Sequence, residues 1–408
     1  MSHALSAIVH DPVHHSVDDS LHDAPAAWGR RIGSTLVRPT AADRDRERRW
    51  DPALLAALAG AGGEGRPGAG LAGLLVPRTL GGGGLTSAQT AAVLEGLGEG
   101  ARDPGLALAV AVHAVLATVP LRAFGTPWQR ERYLPNTASG SWLGAVSLRQ
   151  LHGGARPRTV TAVPAPEGGW TLRGTLDLVA GAPAAHHLLV VAAHEPGADG
   201  GEGGGATAFV VDMDTPGLRV DPGGPAAMPT CPWGTVVLDS CRVSDQAVLG
   251  TPGAAGSETE PLLAALDWVF TSAAWVGIMR ALTRDCAGHV RRAELFGRPL
   301  ASSQSVRQTL ADLGTRCELA SGLLQRAARQ FDFGGRPTLA DAAGVRLFAA
   351  QALRTVIGGA SQLAGPDDPG GDRLLERAHR DALFFAAAGG GGAEVLRPVI
   401  AASLLELG

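Results

Sequence analysis

The chain contains no lysine: of its 408 residues, 35 are basic apart from histidine, and every one of these is arginine. A Schiff-base lysine or a lysine general base is thereby excluded. Charge of one sign is also missing, with 39 acidic residues against 35 basic and a net charge of −4. No global field favours nucleic acid or an anionic membrane surface. The four cysteines, Cys231, Cys241, Cys286 and Cys317, form no C-x-x-C pair, which argues against a zinc ribbon and a disulfide framework and fits a reducing cytoplasm. No basic region followed by an apolar run opens the chain, so no signal peptide is predicted. The longest apolar stretch, Gly105 to Val119, is interrupted by His113 and falls short of the ~20 residues that a membrane helix needs. The expected partner is a small molecule or another protein.

What is present divides into three stretches. Residues 1–22 carry scattered histidines among Asp and Pro and are expected to be a disordered leader, since their spacing fits no metal site. Residues 23–140 show helical patterns, broken by a turn or short strand over Gly70 to Gly84. Residues 141–250 change to short β-rich runs (Trp170–Arg173, His187–Ala193, Ala208–Val211, Thr235–Leu238) separated by Gly, Pro and Asp, the spacing of a small antiparallel barrel or sandwich. Residues 251–408 return to helix. The stripe Val306, Leu310, Leu313, Cys317, Ala320, Leu324, Ala327, Phe331, spaced by threes and fours, belongs to a packed bundle. Further helices are predicted over 261–293, 339–364, 371–386 and 393–406.

The most specific stretch is Phe124 to Ala145, FGTPWQRERYLPNTASGSWLGA: a turn at Gly125–Pro127, a charged helix, and a loop over Pro135 to Gly140 leading into a strand. It resembles the acyl-CoA dehydrogenase signature F-G-T-x-x-Q-[KR]-x-[KR]-Y-L-P-x-L-A-S-G-x-x-x-G-A. Phe296 to Leu313, FGRPLASSQSVRQTLADL, and Glu376 to Ala382, ERAHRDA, resemble two further motifs of the family, and the likeness extends over about residues 25 to 406. It implies a mainly α protein with a β middle domain: an N-terminal helical domain, a small antiparallel β-barrel and a C-terminal four-helix bundle. It also implies FAD, an acyl-thioester substrate and a homodimer or homotetramer.

A dehydrogenase of this kind needs a carboxylate to take the α-proton, FAD to accept the β-hydride, and hydrogen bonds to the thioester carbonyl. Setting Arg397, Val399, Ile400 and Ala401 on the family pattern puts Gly390 where the base stands, and a glycine takes no proton. The alternative base position, in a pattern resembling L-D-L-E-R, falls on Leu266-Asp267-Trp268-Val269-Phe270; its Glu is Val269, and Asp267 remains as a candidate acceptor. The strand resembling T-E-P-x-A-G-S-D reads Leu148-Arg149-Gln150-Leu151-His152-Gly153-Gly154-Ala155. The flavin-stacking aromatic is Leu178, the following Thr is Ala180, the pyrophosphate Arg is Ala293, and the phosphate-near glycine loop now holds Pro366 and two aspartates. Arg292 is one residue off that position, about 100° round a helix. Gln304, Gln362 and Phe296 are kept from the cofactor-binding set. At roughly 1.5–3 kcal/mol for each charged hydrogen bond, losing these contacts together predicts weak or absent FAD.

His152 can serve as acid or base with Arg149 holding an enolate or carboxylate, and Trp268, Phe270, Trp275 and His113 are placed around the substrate. His113 on an apolar helix equally suits a core histidine whose hydrogen bonds are satisfied. Three readings are open: a repurposed enzyme performing a non-redox cyclisation, isomerisation or elimination; a non-catalytic subunit paired with an active homologue; and an FAD-dependent oxidoreductase of altered mechanism acting on CH–CH or related donors.

Overall fold

The computed structural model describes residues 20–60, 70–152, 157–195, 205–332, 338–365, 367–388 and 392–405. Gly390, Pro366, Gly153 to Ala155 and the leader before residue 20 lie outside the described residues. Among the described residues, helix is present from Ser20, inside the expected leader.

The N-terminal layer is helical because its caps and apolar runs agree. Helix α1 (Ser20–Ile32) passes through a π turn (Gly33–Val37) into α2 (Arg38–Arg46), and α3 (Pro52–Gly60) comes next. The segment expected as a strand or turn forms two 3-10 turns, Leu71–Gly73 and Arg78–Leu80. Helix α4 (Ser87–Ala101) starts at a capping box of Thr86 and Gln89. Asp103 caps α5 (Pro104–Ala111) by accepting from Leu106 N–H, and a second π turn (Val112–Ala117) joins it to α6 (Thr118–Phe124). His113 therefore does not interrupt the apolar run. Pro104–Phe124 and Thr259–Arg292 are long and apolar enough to cross a membrane by length and composition alone, and both are wholly buried inside the protein. Helix α7 (Pro127–Ser139), capped by Thr126 and Gln129, continues through Pro135 to Gly140. The loop expected from Pro135 is thus helical, held by buried Tyr133, Leu134 and Ala138.

The middle domain has strands β1 (Gly144–Ser147), β2 (Val160–Pro164), β3 (Trp170–Ala180), β4 (His187–His194), β5 (Ala206–Asp212), β6 (Leu218–Pro222), β7 (Trp233–Val243) and β8 (Val248–Leu249). They form one sheet in the order β6-β7-β3-β1-β4-β5-β8, with β2 sharing the slot between β3 and β4. β6 and β8 are not paired with each other among the described residues. The sheet is also mixed, since β1 and β2 run parallel to β4. One face encloses its own apolar cluster (Leu172, Leu176, Leu188, Val190, Phe209, Val236), while Val146, Leu189, Val191 and Val210 on the other face join the large core shared with the helices.

The C-terminal part begins with α8 (Thr259–Leu266), which runs through a third π turn (Asp267–Thr271) into α9 (Ser272–Arg292). A two-stranded hairpin, β9 (Glu294–Leu295) and β10 (Arg298–Pro299), leads to α10 (Gln304–Gln330), α11 (Leu339–Ala364), α12 (Leu374–Ala387) and α13 (Ala393–Leu404). Helix α9 crosses α4 closely enough that a Cβ at Gly277 would collide with the Glu95 carbonyl oxygen, and one at Gly98 with that of Ala274.

Candidate functional site

The three layers meet at a small cleft. Leu148 and Met228 come from the β domain, Pro104 and Leu108 from α5, and Asp267, Trp275, Arg346 and Phe385 from the bundle. A larger hollow lies between α3, α5 and β1, but its walls are apolar and His113 is the one titratable residue among its described lining. The smaller cleft holds the chemistry.

The π turn places Asp267. The Thr271 hydroxyl bonds the Asp267 carbonyl oxygen at 2.6 Å, and the Ser272 hydroxyl bonds that of Trp268 at 2.6 Å. These are the carbonyls that α-helical N–H groups would take, and such back-bonding competes with the α ladder. Thr271 Oγ1 lies 3.0 Å from Asp267 Oδ1 and accepts a hydrogen bond of 2.7 Å from Arg346 Nη1. Arg346 Nη2 donates to the Phe385 carbonyl oxygen at 2.7 Å, and the guanidinium stacks on the Phe385 ring at 3.7 Å. Asp267 and Arg346 are each 3% exposed. Asp267 Oδ2 and Arg346 Nε have no hydrogen-bond partner among the described residues. Burial pushes the Asp267 carboxyl above its ordinary range, while Arg346 and the Thr271 hydroxyl pull it back. Burial lowers the Arg346 pKa, opposed by the charge of Asp267.

Of the residues expected at the site, Asp267 and Trp275 line this cleft and the others do not. Trp268 is buried beside it, and Phe270 packs on Phe331 with ring centroids 5.7 Å apart. His113 sits at the other hollow with both nitrogens engaged: Nδ1 accepts from Gly144 N–H at 3.1 Å, and Nε2 donates to the Thr137 carbonyl oxygen at 3.3 Å. It is the core histidine of the two readings open to it. The 3-10 turn Leu148–Gln150, fixed by Arg149 N–H donating to Ser147 Oγ, presents Leu148 to the cleft. Arg149 is exposed, His152 is buried outside the cleft lining, and Gln150 is spent on the Val191 backbone. Neither Arg149 nor His152 lines the cleft. Arg346 was not anticipated, although a signal exists: Ala342, Arg346, Ala349, Leu353, Val356 and Ala360 share one helical face, so Arg346 is a charge in phase with an apolar stripe.

The donors do not fit an FAD gripped by this chain alone. Ala180 offers no hydroxyl, and the Ser147 hydroxyl is committed to the Asp177 carbonyl oxygen at 2.7 Å. Arg292, Gln304 and Gln362 are exposed, and Phe296 is 96% exposed on the β9–β10 hairpin. These side chains serve a cofactor only if a second chain completes the grip.

Three family descriptions match: the N-terminal domain of acyl-CoA dehydrogenase over residues 22–141, its middle domain over 151–241, and its C-terminal domain over 269–405. The L-prolyl-[peptidyl-carrier protein] dehydrogenase of Pseudomonas fluorescens is 31% identical over 273 residues, covering 65% of this chain and 70% of that protein. The structure of PigA with FAD and proline superposes with a TM-score of 0.84 at 23% identity, covering 97% of this chain and 100% of that one. The prolyl acyl carrier protein oxidase AnaB gives a TM-score of 0.83 at 25% identity, covering 95% and 100%.

Proposed function

We propose, from the premise that this chain belongs to the acyl-CoA dehydrogenase family, that it removes the α-proton of an acyl thioester seated in the three-layer cleft, with Asp267 as the accepting carboxylate. The observation that carries this reading is the unpartnered Oδ2 of Asp267: a buried acceptor without a partner among the described residues, on a residue that lines the cleft. Among the described lining residues it is the only carboxylate, and Val269, at the alternative base position, is fully buried. Thr271 Oγ1 lies 3.0 Å from Oδ1, the carboxyl oxygen away from Oδ2's unmet valence. Burial favours the neutral form of Asp267, which suits a group that must accept a proton and release it again. Trp275, Phe384 and Phe385 give the cleft apolar walls that exclude water.

The relatives bear on the step after proton removal. A prolyl-carrier-protein dehydrogenase and a prolyl acyl carrier protein oxidase support an oxidation of an aminoacyl thioester presented by a carrier protein, with FAD as the family's cofactor, ahead of a non-redox step. A specific observation favours the second reading, cyclisation, isomerisation or elimination: the flavin-facing side chains are apolar or already bonded. Exposed Phe296, Gln304 and Gln362 suit a homo-oligomer or a heteromer in which a second chain meets the cofactor.

Two measurements test this. Acyl-CoA and prolyl-pantetheine thioesters incubated in heavy water should exchange the α-hydrogen, and Asp267→Asn should slow exchange by roughly a hundredfold or more. Exchange that survives Asp267→Asn within experimental error sinks the assignment. Equilibrium dialysis against FAD then separates the two readings. Saturable binding with flavin absorbance supports the oxidation, and none supports the non-redox step.

A further inference from the structure

We infer that the Arg346 guanidinium binds the carbonyl oxygen of the thioester and holds the enolate formed when the adjacent carbon loses its proton; this rests on the assignment of proton removal to the same cleft. Two residues that line one cavity each carry a buried polar atom without a partner among the described residues. Asp267 Oδ2 lacks a donor and Arg346 Nε lacks an acceptor among the described residues. Their side chains are coupled through a single hydroxyl: Arg346 Nη1 donates to Thr271 Oγ1, and Thr271 Oγ1 lies within hydrogen-bond distance of Asp267 Oδ1. A thioester, ester or ketone bearing an α-hydrogen offers both an acceptor oxygen for Arg346 and, on the adjacent carbon, a proton for Asp267. A free carboxylate fits poorly, because its charge would face Asp267.

The guanidinium is held in place rather than adapting to a ligand. Nη2 donates to the Phe385 carbonyl oxygen and the plane stacks on the Phe385 ring, so the direction of Nε is fixed before any substrate enters. A preset cation beside the site of developing negative charge stabilises that charge most in a buried, water-poor site. The step balances without an oxidant. The Cα–H bond breaks and the proton goes to Oδ2; its electron pair becomes the C=C of the enolate, and the carbonyl π pair moves to the oxygen facing Arg346. Arg346 is thus a catalytic residue by contact with a reacting atom, distinct from Asp267.

The test uses acetoacetyl-CoA and acetoacetyl-pantetheine, whose enolates absorb in the ultraviolet, titrated with pH on the full chain. Binding should raise the enolate-to-keto ratio at fixed pH by roughly ten- to a hundredfold, the range a charged hydrogen bond gives. Arg346→Met should abolish that increase and Arg346→Lys should keep part of it. Asp267→Asn should keep it while losing α-hydrogen exchange. Full exchange in Asp267→Asn, with the enolate increase still dependent on Arg346, overturns the base assignment and leaves this inference standing. Failure of both thioesters to bind the wild-type chain, binding without an increase, or an undiminished increase in folded Arg346→Met overturns it. The wild-type titration decides alone if Arg346→Met does not fold.

Discussion

Acid should unfold this protein through two histidines that have no room for a proton. His113 accepts from Gly144 N–H at Nδ1 and donates from Nε2, so a second ring proton would meet a donor head-on. Burial lowers its pKa from 6.5 to about 4. His187, fully buried and 5.2 Å from the Tyr133 ring, has neither nitrogen bonded among the described residues, and burial with the nearby His113 and His186 lowers its pKa to about 3. Both values are depressed, so the folded state holds these rings neutral. Stability is complete above pH ~6.5, where the unfolded rings are neutral too. It is lost as the pH falls from there towards about 4 for His113 and about 3 for His187. At ~1.4 kcal/mol per unit, each ring forfeits about 2.5 kcal/mol between pH 7 and pH 4.5. Buried Asp267, Asp285, Asp332 and Asp381, all raised by desolvation, push the other way. A difference measurement therefore isolates the histidine. Urea unfolding of wild type and His187→Leu at the two pH values should show the variant losing about 2.5 kcal/mol less than wild type. Equal losses in the two proteins would refute the argument that a buried neutral ring drives the acid transition.

Other consequences are open to direct measurement. Arg44 and Asp103 pair at 3.1 Å with at most 1% side-chain exposure; Asp103→Asn retains the α5 cap but strands Arg44, and should cost about 3–5 kcal/mol in chemical denaturation. Gly277→Ala should destabilise by about 1–3 kcal/mol, because its Cβ meets the Glu95 carbonyl oxygen across α4 and α9. Gly314→Ala on α10, whose Cβ meets nothing, should stabilise by about 0.5–1 kcal/mol. A melting comparison of these two glycine variants checks both the crossing and the helix assignment.

The helices were legible wherever period and caps agreed: α11 was expected over 339–364 and spans Leu339–Ala364. β-rich runs located β3, β4, β5 and β7, whereas β1, β2 and β6, four or five residues long, were not singled out as such runs. Pro135 misled because a local rule about proline yielded to the burial around it. At the cleft, a family motif picked out Asp267, and Trp275 was expected from the same helical run. Another motif drew attention to Arg149 and His152, whose neighbour Leu148 faces the cleft instead. A motif names positions along a chain and not directions, and a 3-10 turn changes the direction of every side chain it carries. Arg346 lay outside every motif; only its phase against the apolar stripe of α11 marked it.

The π turn at Asp267–Thr271 bears on how such a cleft can change its chemistry over time. One extra residue in a helix turns everything beyond it by about 100° relative to what came before. A single-codon insertion or deletion within this turn would therefore sweep a carboxylate into or out of the cleft without altering any side chain, while Thr271 and Ser272 stand ready to hold the bulge with their hydroxyls. Reaction type in a scaffold built this way is written in helix register as well as in residue identity. Lineages that differ here by one residue in length should differ in which side chain meets the substrate.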